Sequence, residues 1–182
     1  MGTAPTTAAE ARAEAEARRS ALRAERESAF AEVYGDLIPG RWVMAGSWSI
    51  TAVFLAVAAG GVVAPDALDG AFLVVSLVFF LIGCLLFAVD LVLAAQRSRS
   101  SEMGIAGIFF LAGSAPSAVQ RQLLGSLSAQ VVVSLVAAAV GFARLDDQHL
   151  NTLAFGILVP MAGLGACGYW AVRWGLFPDR MA

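Results

Sequence analysis

AFLVVSLVFFLIGCLLFAVDLVLAA, residues 71–95, is a run of 25 residues in which Asp90 is the one acid and no basic residue occurs. A helix needs about 20 apolar residues to cross the roughly 30 Å hydrocarbon core of a bilayer. The run therefore predicts a membrane-spanning helix. The whole chain agrees, because 59% of its 182 residues are hydrophobic and its mean hydropathy is +0.75. Both values lie well above those of an ordinary soluble domain.

Three further segments are long and apolar enough to span, at about residues 43–63, 123–143 and 153–172. The sequence thus predicts an all-α, polytopic membrane protein with four transmembrane helices, contained in a membrane domain over residues 43–175. Residues 1–42 are interpreted as a cytoplasmic arm and hinge rich in Ala, Glu and Arg. The remaining residues, 176–182, are expected to form a short cytoplasmic tail.

The arginines predict the orientation of the spans. All twelve basic residues are Arg, and only Arg144 falls in the loops between spans one and two or between spans three and four. Because basic residues accumulate in cytoplasmic loops, both termini are expected in the cytoplasm of a multi-pass protein of the plasma (inner) membrane. Twelve basic against fourteen acidic residues give no case for a nucleic-acid partner.

The arm is predicted to be helical over residues 8–33, which are mostly Ala, Glu and Arg. Three pairs of opposite charge stand four residues apart and support such a helix, namely Arg12/Glu16, Glu14/Arg18 and Arg23/Glu27. Two interpretations remain open: a merely solvated arm, or a docking helix for a partner protein.

Asp90 and Gln130 are the candidate residues for ion or proton coupling, since an ionisable group inside a span is a functional candidate by default. The sequence favours a structural role for Asp90 over coupling. Asp90 could form an ion pair with Arg97, stay neutral as the protonated acid, or contact Gln130.

Gly156 and Pro160 mark a second candidate site in span four. Pro160 has no amide hydrogen to donate to Gly156, so a break in the helix is expected there. Transporters line binding sites with broken helices, but a single Pro in a membrane helix is also well tolerated. Small residues at four-residue spacing, such as Ala52, Ala56 and Gly60, favour either packing within one bundle or a homo-oligomer.

The apolar segment 104–113 lies between spans two and three and is too short to cross, because ten helical residues extend only about 15 Å. Its candidate membrane contacts are Ile105, Ile108, Phe109, Phe110 and Leu111. The segment could lie flat in the interface, dip in as a re-entrant loop, or pack under the bundle. A shared helical face for Ile105, Ile108, Phe109 and Ala112 favours the interfacial position. Ser117 is predicted to cap the following helix, with Gln120 completing a capping box.

Neither catalysis nor a metal is indicated by the motifs. The chain lacks HExxH, a P-loop and any paired-carboxylate or Ser/His/Asp pattern. The loop LDDQHLN, residues 145–151, offers Asp146, Asp147, His149 and Asn151, but an ordinary polar loop explains it better. No cofactor, no metal and no enzyme activity are therefore predicted.

Three stretches carry a resemblance to a known family: GIFFLAGSAP (107–116), LLGSLSAQVVVSL (123–135) and LAFGILVPMAGLGACGYWAVRWGLFPDR (153–180). Over roughly residues 30–180 the chain resembles an uncharacterised family of small actinobacterial integral membrane proteins with four spans. The resemblance implies that the short apolar loop is a family feature, and it implies no activity.

The sequence therefore favours a non-enzymatic structural or accessory component of the inner membrane. Its partners would be the lipid bilayer and another membrane protein or a second copy of the chain. The alternative is a small oligomeric transporter or channel that uses Asp90 and the break at Pro160.

Overall fold

The computed structural model describes residues 7–35, 37–144 and 151–180, apart from the side chains of residues 65 and 66. Their helices are α1 (Ala8–Tyr34), α2 (Arg41–Val63), α3 (Pro65–Arg97), α4 (Ile105–Phe109), α5 (Ser117–Ala143), a 3-10 helix (Thr152–Leu158) and α6 (Pro160–Trp174). Among the described residues, the one β-type pairing is an isolated bridge between Ser101 and Asp179. The predicted all-α class is confirmed.

Four helical stretches are long and apolar enough to cross a membrane. They are Arg41–Val63, Ala67–Arg97, Ser117–Ala143 and Thr152–Trp174. Each contains one of the four spans that the sequence predicts. The chain is thus a multi-pass helical membrane protein by the length and composition of its helices.

The chain divides after Ile38 into two units, an arm and a membrane domain. In the arm, α1 begins with a capping box: the Glu10 amide donates to Thr7 Oγ1 at 3.2 Å, and the Thr7 amide donates to Glu10 Oε2 at 2.9 Å. These bonds satisfy amides that a helix start leaves without partners. The helix ends at Gly35, whose φ of +60° favours glycine. All but four of the 27 residues of α1 are exposed.

In the membrane domain, α3 and α6 pack closely because glycines face each other. A Cβ atom on Gly83 would lie 2.4 Å from the carbonyl carbon of Met161, and one on Gly165 would lie 3.0 Å from the Gly83 oxygen. In lipid, where burying large apolar side chains gains little, such backbone proximity stabilises helix pairs. Small residues of span four, namely Ala162, Gly163, Ala166 and Cys167, are buried in the bundle, whereas Ala52 and Ala56 of α2 are exposed.

The residues after α6 follow a defined path at the end of the bundle where α3 terminates, which we call the Arg97 end. The Glu102 amide donates to the Pro178 carbonyl at 2.8 Å, and the Arg180 amide donates to the Ser100 carbonyl at 2.9 Å. The Arg180 guanidinium also donates to the Ser98 carbonyl at 3.0 Å. Residues 176–180 are thus paired to the α3–α4 connection rather than forming a free tail.

Candidate functional site

A chain of polar side chains joins α2 to α5 inside the bundle. Ser47 Oγ lies 2.6 Å from Ser126 Oγ, and Thr51 Oγ1 lies 2.9 Å from the same atom. Gln130 Nε2 donates to Thr51 Oγ1 at 2.9 Å, and the Ser134 hydroxyl donates to the Gln130 carbonyl. All five side chains are buried. Buried polar groups need such partners, because each unpaired one costs free energy in an apolar interior.

Gln130 also closes the helix break in span four. Its Oε1 accepts a hydrogen bond from the Gly163 amide at 3.2 Å. This amide belongs to the first turn of α6, where a helix leaves its N–H groups without carbonyl partners. In this part of span four, a 3-10 helix ends at Leu158 and α6 begins with Pro160. The structure thus brings Gln130 to the helix break, and not to Asp90.

Gly156 lies on the other side of the break, where aromatic rings fill the space. A Cβ atom on Gly156 would lie 2.9 Å from Phe72 Cζ and 3.2 Å from Phe54 Cζ. Both rings are fully buried, with centroids 5.8 Å apart. The break is therefore packed by side chains of the bundle itself.

Asp90 is fully buried, and both of its carboxyl oxygens lack a hydrogen-bond partner among the described residues. The carboxyl group lies against α6 at Gly168. A Cβ atom on Gly168 would stand 2.3 Å from Asp90 Oδ2 and 2.9 Å from Cε1 of Phe109, which belongs to α4. Because residue 168 has no side chain, the Asp90 carboxyl group and the Phe109 ring both fit beside it.

Arg97 does not form the ion pair with Asp90 that the sequence allows. Its Nη1 donates to the Val172 carbonyl at 2.8 Å and its Nη2 to the Gly175 carbonyl at 2.7 Å. The guanidinium carbon also lies 5.5 Å from the centroid of the Phe177 ring. Arg97 thus satisfies carbonyls that the end of α6 leaves open, and Gln130 is bonded to Thr51 and Gly163. Neither the ion pair with Arg97 nor the contact with Gln130 is formed by Asp90.

The short apolar segment packs into the Arg97 end of the bundle. Phe109 stacks on Phe87, with centroids 5.0 Å apart. Phe87 precedes Arg97 by ten residues, which corresponds to about 15 Å of helix, so the segment reaches well inside the end of α3. The shared face predicted from the sequence is wrong: Ile108 and Phe109 are 8% exposed, whereas Ile105 is 74% exposed and Ala112 is exposed.

The reason for this difference is that α4 ends at Phe109 and a turn follows. Leu111 has a φ of +56°, a left-handed conformation that is rare for Leu, and its side chain is fully buried. Phe110, between these two buried residues, is 55% exposed. Helical periodicity ends at Phe109, so residues before and after the turn do not share one helical face.

Polar side chains hold the turn in place. The Ser114 hydroxyl donates to the Gly107 carbonyl, and the Ser114 carbonyl accepts from the Leu176 amide at 3.0 Å. Gln120 Nε2 donates to the carbonyls of Leu111 and Ala115, both at 2.9 Å. The predicted capping box is therefore wrong, because Pro116 is the N-cap residue of α5 and the Gln120 side chain points to the turn.

Metal-ligating groups are not gathered in the described part of the chain, where no three His, Cys, Asp or Glu side chains lie close enough to share an ion. Cys84 and Cys167 are free thiols, and Cys167 is fully buried. Asp146, Asp147 and His149 lie outside the described residues. Asn151 is described, and its Oδ1 accepts from the Ala154 amide at 3.2 Å at the start of the 3-10 helix.

These features define the class of protein: a four-span helical membrane protein with a helical arm. Comparison with protein-family profiles, with curated proteins and with solved structures found no match. The resemblance to an actinobacterial family thus stays a prediction, and the function has to be argued from the molecule itself.

Proposed function

We propose that the protein is a non-enzymatic structural or accessory component of the inner membrane, which binds another membrane protein of the cell envelope through α1. The observation that carries this proposal is the exposure of α1. A helix of 27 residues with all but four exposed gains little from packing. Helices that are polar on every side are unusual unless paired charges or a partner stabilise them.

The charge pattern of α1 indicates how a partner is recognised. Six Glu and five Arg side chains lie along the helix. At 3.6 residues per turn, Arg12, Arg19, Arg23 and Arg26 fall on one face, and Glu10, Glu14, Glu25 and Glu32 fall on the opposite face. Two faces of opposite charge select partners by complementary placement rather than by net attraction. A partner protein with an acidic and a basic surface of its own matches both faces, whereas an anionic lipid surface attracts the basic face alone.

The proposed location is the inner membrane with both termini in the cytoplasm. The arginine distribution supports this orientation, because the Arg97 end carries the connection with Arg97, Arg99 and Arg121. In this orientation the exposed side chains of Ile105 and Phe110 face the cytoplasmic leaflet. Nearby arginines would then be attracted to anionic head groups by about 1 kcal/mol each.

Affinity purification of the full-length protein from native cells in mild detergent, followed by mass spectrometry, tests the accessory role. We expect one envelope protein at a fixed stoichiometry. A variant in which the members of the three pairs Arg12/Glu16, Glu14/Arg18 and Arg23/Glu27 are exchanged keeps its composition and net charge. Its recovery of the partner should fall about tenfold, which corresponds to 1.4 kcal/mol of binding free energy.

Circular dichroism of the exchanged variant provides the control, because its helix content should equal that of the wild type. Recovery that is insensitive to the exchange, or the absence of a stoichiometric partner, would refute the accessory role.

A small transporter or channel is the second candidate, and the unpartnered, fully buried carboxyl group of Asp90 favours it. The break at Pro160 does not add to this candidate, since Gln130 and aromatic rings fill it. Proton-dependent flux in proteoliposomes that is lost in Asp90→Asn would support transport. Flux that is unchanged by this substitution would exclude a role for Asp90 in it.

A further inference from the structure

We propose that Asp90 is a proton-binding site and that residues 105–114 form a gate over it, which admits water to the carboxyl group from the Arg97 end. The inference deepens the second candidate function and is independent of the accessory role. Its experiment measures protonation and water access rather than flux, so its failure and the failure of transport can be told apart.

The first step of the argument is the state of the closed site. Both Asp90 oxygens are buried without a hydrogen-bond partner, and an ionised carboxylate in such surroundings costs several kcal/mol or more. From α3, the nearest basic residue toward the Arg97 end is Arg97, which is bonded to the carbonyls of Val172 and Gly175. From α6, the titratable groups next to Gly168 are Cys167, which is buried, and Tyr169, whose ring packs against Trp42 and Trp174. The helix α4 carries none. The closed bundle thus holds Asp90 as the neutral acid.

The second step is the identity of the gate. The Phe109 ring and the Asp90 carboxyl group converge on Gly168. Phe109 is stacked on Phe87 of α3, and it shares a buried cluster with Ala94, Ile108 and Val172. Removing this ring would open a path from the Arg97 end to the carboxyl group, whereas the neighbouring Phe110 ring is 55% exposed and contributes little to the closure.

The third step is that few hydrogen bonds hold residues 105–114 in place. The helix α4 has only five residues, so it forms little helical hydrogen bonding of its own. Its turn is held by one side-chain bond from Ser114, two from Gln120, and the backbone bond from the Leu176 amide to the Ser114 carbonyl. A short segment held by a few bonds of this kind opens at a smaller free energy than the long helices beside it. When this segment lifts, the O–H bond of Asp90 breaks, the proton passes to water, and the carboxylate remains in the hydrated site.

Infrared spectroscopy of the full-length protein in lipid bilayers tests the proposal, because a protonated carboxyl group has a C=O stretching band well separated from the amide bands. We expect such a band at neutral pH, and we expect Asp90→Asn to remove it. Transfer into D₂O should shift the band slowly in the wild type. Phe109→Ala should accelerate this exchange about tenfold, since opening of the segment limits it, and the matched variant Phe110→Ala should leave it unchanged.

Ser114→Ala provides a second gate variant if Phe109→Ala does not assemble. It removes the hydroxyl that donates to Gly107 and leaves the core intact, and it should accelerate the exchange in the same direction. The absence of an Asp90-dependent band would overturn the proton site. Fast exchange in the wild type, or exchange that both gate variants leave unchanged, would overturn the gate.

Discussion

Gln130 joins three helices through one amide group. Its nitrogen donates to Thr51 of α2, and its oxygen accepts from the Gly163 amide of α6. The glycine matters here, because a Cβ atom at position 163 would lie 2.6 Å from Gln130 Oε1. The pair Gln130 and Gly163 therefore allows a proline-containing span to start a helix inside the bundle with the Gly163 amide paired.

Replacing Gln130 by Met tests this role. The substitution keeps the size of the side chain but leaves the Gly163 amide without its acceptor, so the free energy of unfolding should fall by about 1–3 kcal/mol. The matched variant Ser47→Ala should cost only about 0.6 kcal/mol, because Ser126 keeps its contact with Thr51. Reversible unfolding in mixed micelles measures both. An equal loss in the two variants would contradict the proposed role of Gln130.

Gly168 is the second residue on which the packing inside the bundle depends. Gly168→Ala would place a methyl group within 2.3 Å of Asp90 Oδ2, and overpacking of this kind costs about 1–3 kcal/mol. The loss should shrink in an Asp90→Ala background, since the two side chains compete for the same space. Gly46→Ala is the control, because a Cβ atom there meets nothing within 4 Å. A loss that is the same with and without Asp90 would show that another contact is responsible.

At the scale of elements, the sequence predicts the long helices better than the short ones. The spans follow from apolar length alone, which fixes a helix in lipid whatever its neighbours are. Which side chains of residues 105–111 are buried depends instead on a turn at Leu111 and on hydrogen bonds from Ser114 and Gln120. These contacts join residues that are distant in sequence or have unusual backbone conformations, and periodicity carries no information on them.

The same reasoning applies to the two polar candidates. The sequence identifies Asp90 and Gln130 as exceptional, because each is a polar residue in an apolar span. It cannot assign their partners, since those depend on which helix faces which. Gly168 and Gly163, which make room for the two side chains, resemble ordinary small residues of a membrane helix until the bundle is assembled.

The segment after α6 provides an element-scale prediction. Arg97→Ala removes two hydrogen bonds to the Val172 and Gly175 carbonyls and the contact with Phe177. Amide hydrogens of residues 176–180 should then exchange about tenfold faster, because local opening becomes easier. Arg173→Ala is the control, since the Arg173 side chain is exposed in the last turn of α6. Unchanged exchange in Arg97→Ala would show that the backbone bonds alone fix this segment.

At the scale of the whole molecule, the arm and the membrane domain illustrate two different sources of order. The membrane domain is specified by apolar length, facing glycines and a few buried polar bonds. The arm is a capped helix whose exposed charges gain little by themselves. The exposure of this helix is the basis of the proposed accessory role.

The central claim is a four-span topology in which both termini and the connection between α3 and α5 lie in the cytoplasm. Thiol labelling with a membrane-impermeant reagent in intact cells tests it most directly, in a background with Cys84→Ala and Cys167→Ala. The reporter variants are Ser20→Cys in α1, Ala67→Cys at the start of α3 and Ser100→Cys after α3, all at exposed positions. We expect position 67 to react and positions 20 and 100 to react only after the cells are opened. Labelling of position 100 in intact cells would contradict the topology.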